Sequence, residues 1–234
     1  MASKNNTPYH ISYNAPVTLT FSLLAALVLL IDMYILDMHL IPALFIAPSR
    51  QGTLCAFNWK SGLDYLKLFT HVLGHADWEH LLANLSFILL LGPLLESKYG
   101  SRMLLLMIII TAFVTGVINA CFLPTPLMGA SGIACMMILL ASLASLSQHE
   151  IPLTFLLVVV LYFGRELIAA RTEGTISTAA HIAGGICGSV FGFSVPAKKA
   201  SRRRTAARRP AAGTAGTAAD GALHTDKTTD QKLS

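Results

Sequence analysis

Charged residues are scarce in this sequence. Asp, Glu, Lys and Arg make up 12% of its 234 residues, about half the share of an average soluble domain. That excludes an ordinary water-exposed globular surface. Cysteine is sparse as well. Cys55, Cys121, Cys135 and Cys187 form no C-x-x-C pair and no ligand spacing, which excludes a thiolate metal site and a disulfide framework. Two of the four fall in apolar runs and read as packing residues, leaving a Cys55–Cys121 bridge as the one conceivable pairing. There is no His-Glu-x-x-His, the pattern a zincin needs. The two halves show no paired broken helices of the kind transporters carry. Net charge is +5, but the excess is gathered in one terminal segment, so the balance does not indicate a nucleic-acid partner.

What is abundant is apolar sequence, 54% of the chain, in long runs without amphipathic period. This is the composition of a polytopic membrane protein, and the reading is all-α with six transmembrane helices. Residues 1–16 form a short polar lead, 17–195 the membrane domain, and 196–234 a basic, disordered tail. The first span runs from Val17 to about Asp37 and lacks a small-residue cleavage site, so it reads as retained. Asp32 and Asp37 lie towards its far end, within reach of the interface. A long first outer loop follows, in which Leu40 to Ala47 is too short to span and suits the interface. Further spans cover about His80–Leu95, Met103–Leu123, the glycine–serine stretch to Ser147, Ile151–Ala169 and Ile176–Val195. Arg165 and Glu166 sit near the end of the fifth. The tail concentrates Lys198, Lys199, Arg202, Arg203, Arg204, Arg208 and Arg209 and suits anionic lipid headgroups. The positive-inside rule then puts both termini in the cytoplasm. Ser131, His80 and His181 thereby all open helices at the outer face.

Ionisable and polar groups at membrane depth are costly and ask for a reason. Gly129-Ala130-Ser131-Gly132 turns a loop broken by Pro124 and Pro126 into an apolar helix. A serine there sits beside backbone N–H groups that lack internal acceptors, although small residues also serve helix packing. His181 is followed by Gly184 and Gly188 at i+3 and i+7, glycines that let a neighbouring helix approach closely. If that neighbour is the serine helix, the imidazole comes within general-base distance of Ser131, roughly 3 Å. His80 and Asn84, four residues apart on one face, are donors suited to an oxyanion, or, for Asn84, to an ordinary interhelical bond.

Taken together, His75-x4-His80-x3-Asn84, Glu96-x3-Gly100, Gly-x-Ser-Gly at 129–132 and His-x2-Gly-x3-Gly at 181–188 resemble the rhomboid family of intramembrane serine proteases, over about Tyr65 to Gly192. The resemblance implies a Ser131–His181 dyad and an oxyanion hole of the Ser131 N–H, His80 and Asn84. It implies no cofactor or metal, and Gly129, Gly132, Gly184 and Gly188 as structural support. Glu96 and Gly100 carry over as fold residues. The resemblance further implies that the fifth helix and the loop over the site act as the substrate gate. Implied substrates are single-span membrane proteins, cut in or near their transmembrane segments. The implied location is a bacterial inner membrane, with the site open to the outer side. One departure is Leu66-Lys67 where many members have Trp-Arg, which bears on the bracing of the first loop. The rivals are a catalytically idle binder of the same fold and a metal site drawn from His71, His75 and His80.

Overall fold

The computed structural model describes residues 13–53, 55–143, 153, 156–161, 164 and 175–196. Among the described residues seven α-helices have defined bounds: α1 (Pro16–Tyr34), α2 (Leu40–Leu44), α3 (Gly62–Thr70), α4 (Trp78–Tyr99), α5 (Ser101–Phe122), α6 (Ser131–Ser142) and α7 (Thr175–Ser194). A 3-10 turn, His71–Leu73, continues α3. Among the described residues there is no strand, only the isolated bridges Ala47–Leu127 and Ser49–Ala56.

Three helices, α1, α4 and α5, are long and apolar enough to cross a membrane. Their 19, 22 and 22 residues extend about 28 to 33 Å, matching a hydrocarbon core of about 30 Å. The expected first, second, third and sixth spans agree with α1, α4, α5 and α7 to within a few residues. The fourth is described only as far as Leu143, as the 12-residue α6. Of the fifth, residues 156–161 are helical, while Arg165 and Glu166 lie outside the described residues. So do the polar lead up to residue 12 and the basic tail from residue 197.

Two sharp corners and one carboxylate set how the first helices meet. α4 ends and α5 begins at Gly100, with φ 88° and ψ 153°. Its N–H closes on the Glu96 carbonyl at 2.8 Å and its carbonyl accepts from Leu104 at 3.0 Å. That region of backbone is open essentially to glycine alone. α1 starts on a proline and has no cap from its own sequence. Glu96, in the last turn of α4, supplies one. Its carboxylate accepts from the Val17 N–H and the Thr18 N–H, both at 3.0 Å, and from the Thr18 hydroxyl at 2.9 Å. Gly92, one turn earlier, lies against Thr18 so tightly that a Cβ would come within 2.4 Å of it. The expectation that Glu96 and Gly100 serve the fold acquires its physical content here.

Asp32 corrects a reading of the sequence. It was expected to reach the interface, but it is fully buried. α1 stops at Tyr34, and Asp37 and Met38 take positive φ values of 44° and 64°. This reversal brings the chain back over the helix end, where Asp32 Oδ1 accepts from the Leu40 and Ile41 N–H groups at 2.7 and 3.1 Å. The carboxylate thereby caps α2. Likewise the Leu40–Ala47 patch is partly core: Ile41 and Ala47 are 3% and 0% exposed.

The loop between α2 and α3 is braced without a Trp-Arg pair. Phe57 meets Trp59 and Tyr65 edge-on at 5.1 and 5.0 Å. Asp64 accepts from the Asn58 N–H at 2.9 Å and lies 3.9 Å from Lys67. Asn119, buried on α5, donates to the Pro48 and Thr125 carbonyls, each at 3.0 Å, and so ties this loop to the segment before α6. Cys55 and Cys121 are both free and exposed, so the conceivable bridge is not formed.

α6 occupies the centre. Eight of its residues are buried, around its whole circumference. α7 lies along it, with Gly184 against the Gly132 backbone and Gly188 against that of Met136. Cys135 and Cys187 are buried in these two helices, as their apolar settings predicted.

Glu96→Ala is expected to destabilise the protein by about 2–5 kcal/mol, because it strands buried donors that now bond a carboxylate. Glu96→Gln, which keeps an acceptor, is expected to cost about half as much. Thermal unfolding in detergent measures both, and equal stability of the alanine variant and the parent would contradict the capping role.

Candidate active site

The site is built where α6 begins. Ser131 is its first residue, half-buried, and the preceding Gly129 adopts φ 114°, a conformation L side chains rarely take. A Cβ at Gly129 would stand 2.8 Å from both Cε1 and Nε2 of His80 and 3.7 Å from Asn84 Nδ2. The glycine therefore does two things. It permits the turn, and it leaves room for His80 and Asn84 to stand directly beside the strand of chain leading to Ser131.

His80 and Asn84 reach this position from the first two turns of α4. Asp77 caps that helix, accepting from the His80 N–H at 2.7 Å, so its N-terminus is fixed beside the loop. The Asn84 amide nitrogen is buried and has no hydrogen-bond partner. An unpaired buried donor costs about 1–3 kcal/mol, a cost that a visiting oxygen would relieve.

α7 approaches from the other side. A Cβ on Gly132 would lie 3.3 Å from the Ala180 carbonyl, and one on Gly184 would lie 2.1 Å from the Gly132 carbonyl. The two backbones touch, so Ser131, next to Gly132, and His181, next to Ala180, stand at the same level of the α6–α7 seam. His80 is near enough to His181 for the rings to interact electrostatically. Ser131, His181, His80 and Asn84 are thus drawn to one end of the bundle. Gly129, Gly132, Gly184 and Gly188 each mark a close approach there.

The sequence understated His71 and His75. Both are buried and both hold the segment leading into α6. The His71 carbonyl accepts from the Gly129 N–H at 3.0 Å, and its ring meets the Thr115 hydroxyl at 3.3 Å. His75 Nε2 accepts from the Ala130 N–H at 3.4 Å. That nitrogen must then carry the lone pair, leaving the proton on Nδ1, which faces the Leu73 carbonyl at 3.3 Å. The His75 and His80 rings pack edge-on at 5.0 Å. The 71/75/80 spacing of imidazoles was the available signal, and it also admitted a metal site as a lesser reading. In the fold these rings are instead spent on separate neighbours, and among the described residues no group of three or more His, Cys, Asp or Glu gathers.

Burial lowers the pKa of His71 to about 4, although the Lys67 and Leu68 carbonyls oppose the shift. Burial, reinforced by the neighbouring His80, likewise lowers that of His75 to about 4. Both are neutral at pH 7, as the acceptor role of His75 Nε2 requires.

Comparison with known proteins gives the chain's family. The Rhomboid domain matches residues 63–198, more than half of the chain. Over 130 residues the chain is 25% identical to the rhomboid protease GlpG of Haemophilus influenzae, covering 54% of this chain and 68% of that protein.

The two depressed histidines give stability a pH dependence of definite sign. Their folded pKa of about 4 lies below the usual 6.5, so the unfolded chain binds protons more readily between those values. Stability is expected to be full above about pH 6.5, to fall as pH drops towards 4, and to level off below. Unfolding temperature measured across that window tests this. Replacing His75 by Gln is expected to lower stability at pH 7 and to flatten the decline, and a slope unchanged in both His71 and His75 variants would refute the assignment.

Proposed function

The chain belongs to the rhomboid family, and on that footing we propose that it is an intramembrane serine endopeptidase working through Ser131 and His181. It is an integral membrane protein by its family and its apolar spans. The observation that carries the catalytic reading is the unpaired, buried Asn84 amide beside Gly129. It is a donor with nothing to bond, at the entrance of the helix that Ser131 begins.

In this reading the Ser131 hydroxyl attacks the scissile carbonyl while the His181 imidazole accepts its proton. The carbonyl oxygen becomes an oxyanion. The Ser131 backbone N–H, free because it lies in the first turn of α6, shares that charge with the donors of His80 and Asn84. The tetrahedral adduct collapses as His181 gives its proton to the departing amine, leaving an ester on Ser131. Water then attacks the ester, again with His181 as base, and releases the serine. No metal or cofactor enters any step. Surrounding low dielectric strengthens each of these interactions relative to water, and the glycine contact between α6 and α7 keeps Ser131 and His181 from drifting apart.

Substrates proposed for this chemistry are single-span membrane proteins. A peptide bond within a helix has its carbonyl already hydrogen-bonded and its faces covered, so the substrate helix has to unwind locally before Ser131 reaches it. Small residues near the cut favour that unwinding. The relative from Haemophilus influenzae supports a bacterial inner membrane as the location. The basic tail in the cytoplasm would leave the site open to the outer side.

Cleavage of a transmembrane reporter by the purified protein in liposomes tests the proposal. Ser131→Ala and His181→Ala are each expected to reduce cleavage to background, and a chelator is expected to change nothing. Asn84→Ala is expected to lower kcat about a hundredfold with little change in KM, as loss of one oxyanion donor does. Cleavage surviving in Ser131→Ala would overturn the mechanism. An unmodified protein that neither cleaves nor takes a fluorophosphonate label on Ser131 would instead be an idle binder of the same fold.

A further inference from the structure

A second feature lies away from the catalytic residues, on the flank formed by the loop between α2 and α3, by α3 itself and by the end of α5. A cleft of about 560 Å³ opens there, lined by Arg50, Phe57, Trp59, Tyr65, Phe113 and Val117 among others. Its walls are chemically uneven. Arg50 is the cation among its lining residues and forms no ion pair among the described residues. Phe57, packed edge-on against Trp59 and Tyr65, supplies an aromatic wall. Phe113, stacked on Phe69 at 5.1 Å, supplies an apolar one.

Depth decides what such a cleft meets. The Arg50 backbone N–H donates to the Leu123 carbonyl at 2.8 Å, so the residue's backbone lies level with the end of α5. That helix has the length of the hydrocarbon core, which puts Arg50 at headgroup level. Trp59 is 69% exposed and Tyr65 45%; an indole and a phenol left so bare suit the membrane–water interface. Below them Phe113, Ile110, Ile109 and Leu106 are 37% to 49% exposed along one side of α5, an apolar track running from the cleft into the bilayer.

We propose that this cleft binds one anionic phospholipid of the surrounding leaflet. Its phosphate pairs with Arg50, its glycerol region lies against Trp59 and Tyr65, and one acyl chain descends along Phe113 and the exposed side of α5. Cation, amphipathic rings and apolar track are the complements of a phospholipid's phosphate, glycerol region and acyl chain. Neither a free phosphate nor a soluble protein would use the apolar track. The bound lipid would steady the loop whose far end, through Asn119 and the Pro48 carbonyl, is tied to the segment entering α6.

Trp59 is itself the reporter. The full chain carrying Trp78→Phe, so that Trp59 is the remaining tryptophan, is reconstituted in phosphatidylcholine vesicles. These contain about one lipid in ten brominated on the upper acyl chain, either phosphatidylglycerol or phosphatidylcholine. Brominated phosphatidylglycerol is expected to quench Trp59 with about fivefold higher apparent affinity, the value of roughly one cation at an anionic surface. Arg50→Gln is expected to abolish that preference and Arg50→Lys to keep most of it. If Trp78→Phe fails to fold, the same signal is obtained by difference between the parent and Trp59→Phe. Equal quenching by both lipids overturns the proposal, as does a preference that survives Arg50→Gln. Displacement by millimolar inorganic phosphate would assign the site to a free anion, and displacement by the transmembrane reporter would assign it to substrate; either result overturns the lipid.

Discussion

At the centre of the molecule two helix backbones meet directly. Gly184 of α7 lies on Gly132 of α6 so tightly that a single methyl group would sit 2.1 Å from a carbonyl oxygen. Without side chains between them, the helices meet at a separation that dispersion and backbone dipoles favour in a membrane, where no hydrophobic effect drives helices together. Gly188 on Met136 repeats the contact one turn along, which fixes the axial register of the two helices as well as their distance. Register is what the proposed Ser131–His181 pair would need. Ser131 and His181 come from segments fifty residues apart in sequence, and they are kept level because the glycines leave α7 only one way to lie.

The polar groups around this seam divide by whether they are already satisfied. Glu96 is saturated by the start of α1, and one oxygen of Asp32 by the start of α2. The Asn119 amide nitrogen bridges two loop carbonyls, and His75 takes the Ala130 N–H. Each removes an orphan backbone group that the bilayer could not hydrate. Among the described residues four buried side-chain atoms have no partner, Asp32 Oδ2, Asn119 Oδ1, the Thr125 hydroxyl and the Asn84 amide nitrogen, and of these the Asn84 nitrogen faces Gly129. A protein that satisfies so many buried groups with side chains from other elements, yet leaves this donor beside Gly129, stores binding capacity at that point.

Bracing of the first loop shows how the same mechanical end is met with other residues. Leu66 and Lys67 cannot stack and fork as a Trp-Arg pair would. Here the aromatic trio Phe57, Trp59 and Tyr65 provides the stiff apolar part, and Asp64 the polar one, holding the Asn58 N–H and lying beside Lys67. The loop is anchored at the segment before α6 through the Ala47–Leu127 bridge and Asn119. Its rigidity is thus transmitted to the residues that precede Ser131.

Much of this was legible in the sequence, because the relevant physics is local. An apolar run of about twenty residues is a membrane helix wherever it occurs, so α1, α4 and α5 could be placed to within a few residues. A glycine-flanked serine after two prolines has to begin a helix, as Ser131 does. The roles of Asp32, His71 and His75 were not legible. Each depends on which distant N–H or hydroxyl comes to meet it, and a side chain's partner across the fold leaves no periodic trace. Asp32 reads as an interfacial acid until the chain reverses at Asp37 and Met38 and delivers the Leu40 N–H to it. Imidazoles spaced four and five residues apart read as metal ligands until the fold assigns Thr115 to one and Ala130 to another. Sequence alone determined that the chain enters a membrane and which residues are the candidates for its chemistry. Tertiary structure decided which polar groups are used up holding the helices and which donor remains open, since only packing sets what each buried atom touches.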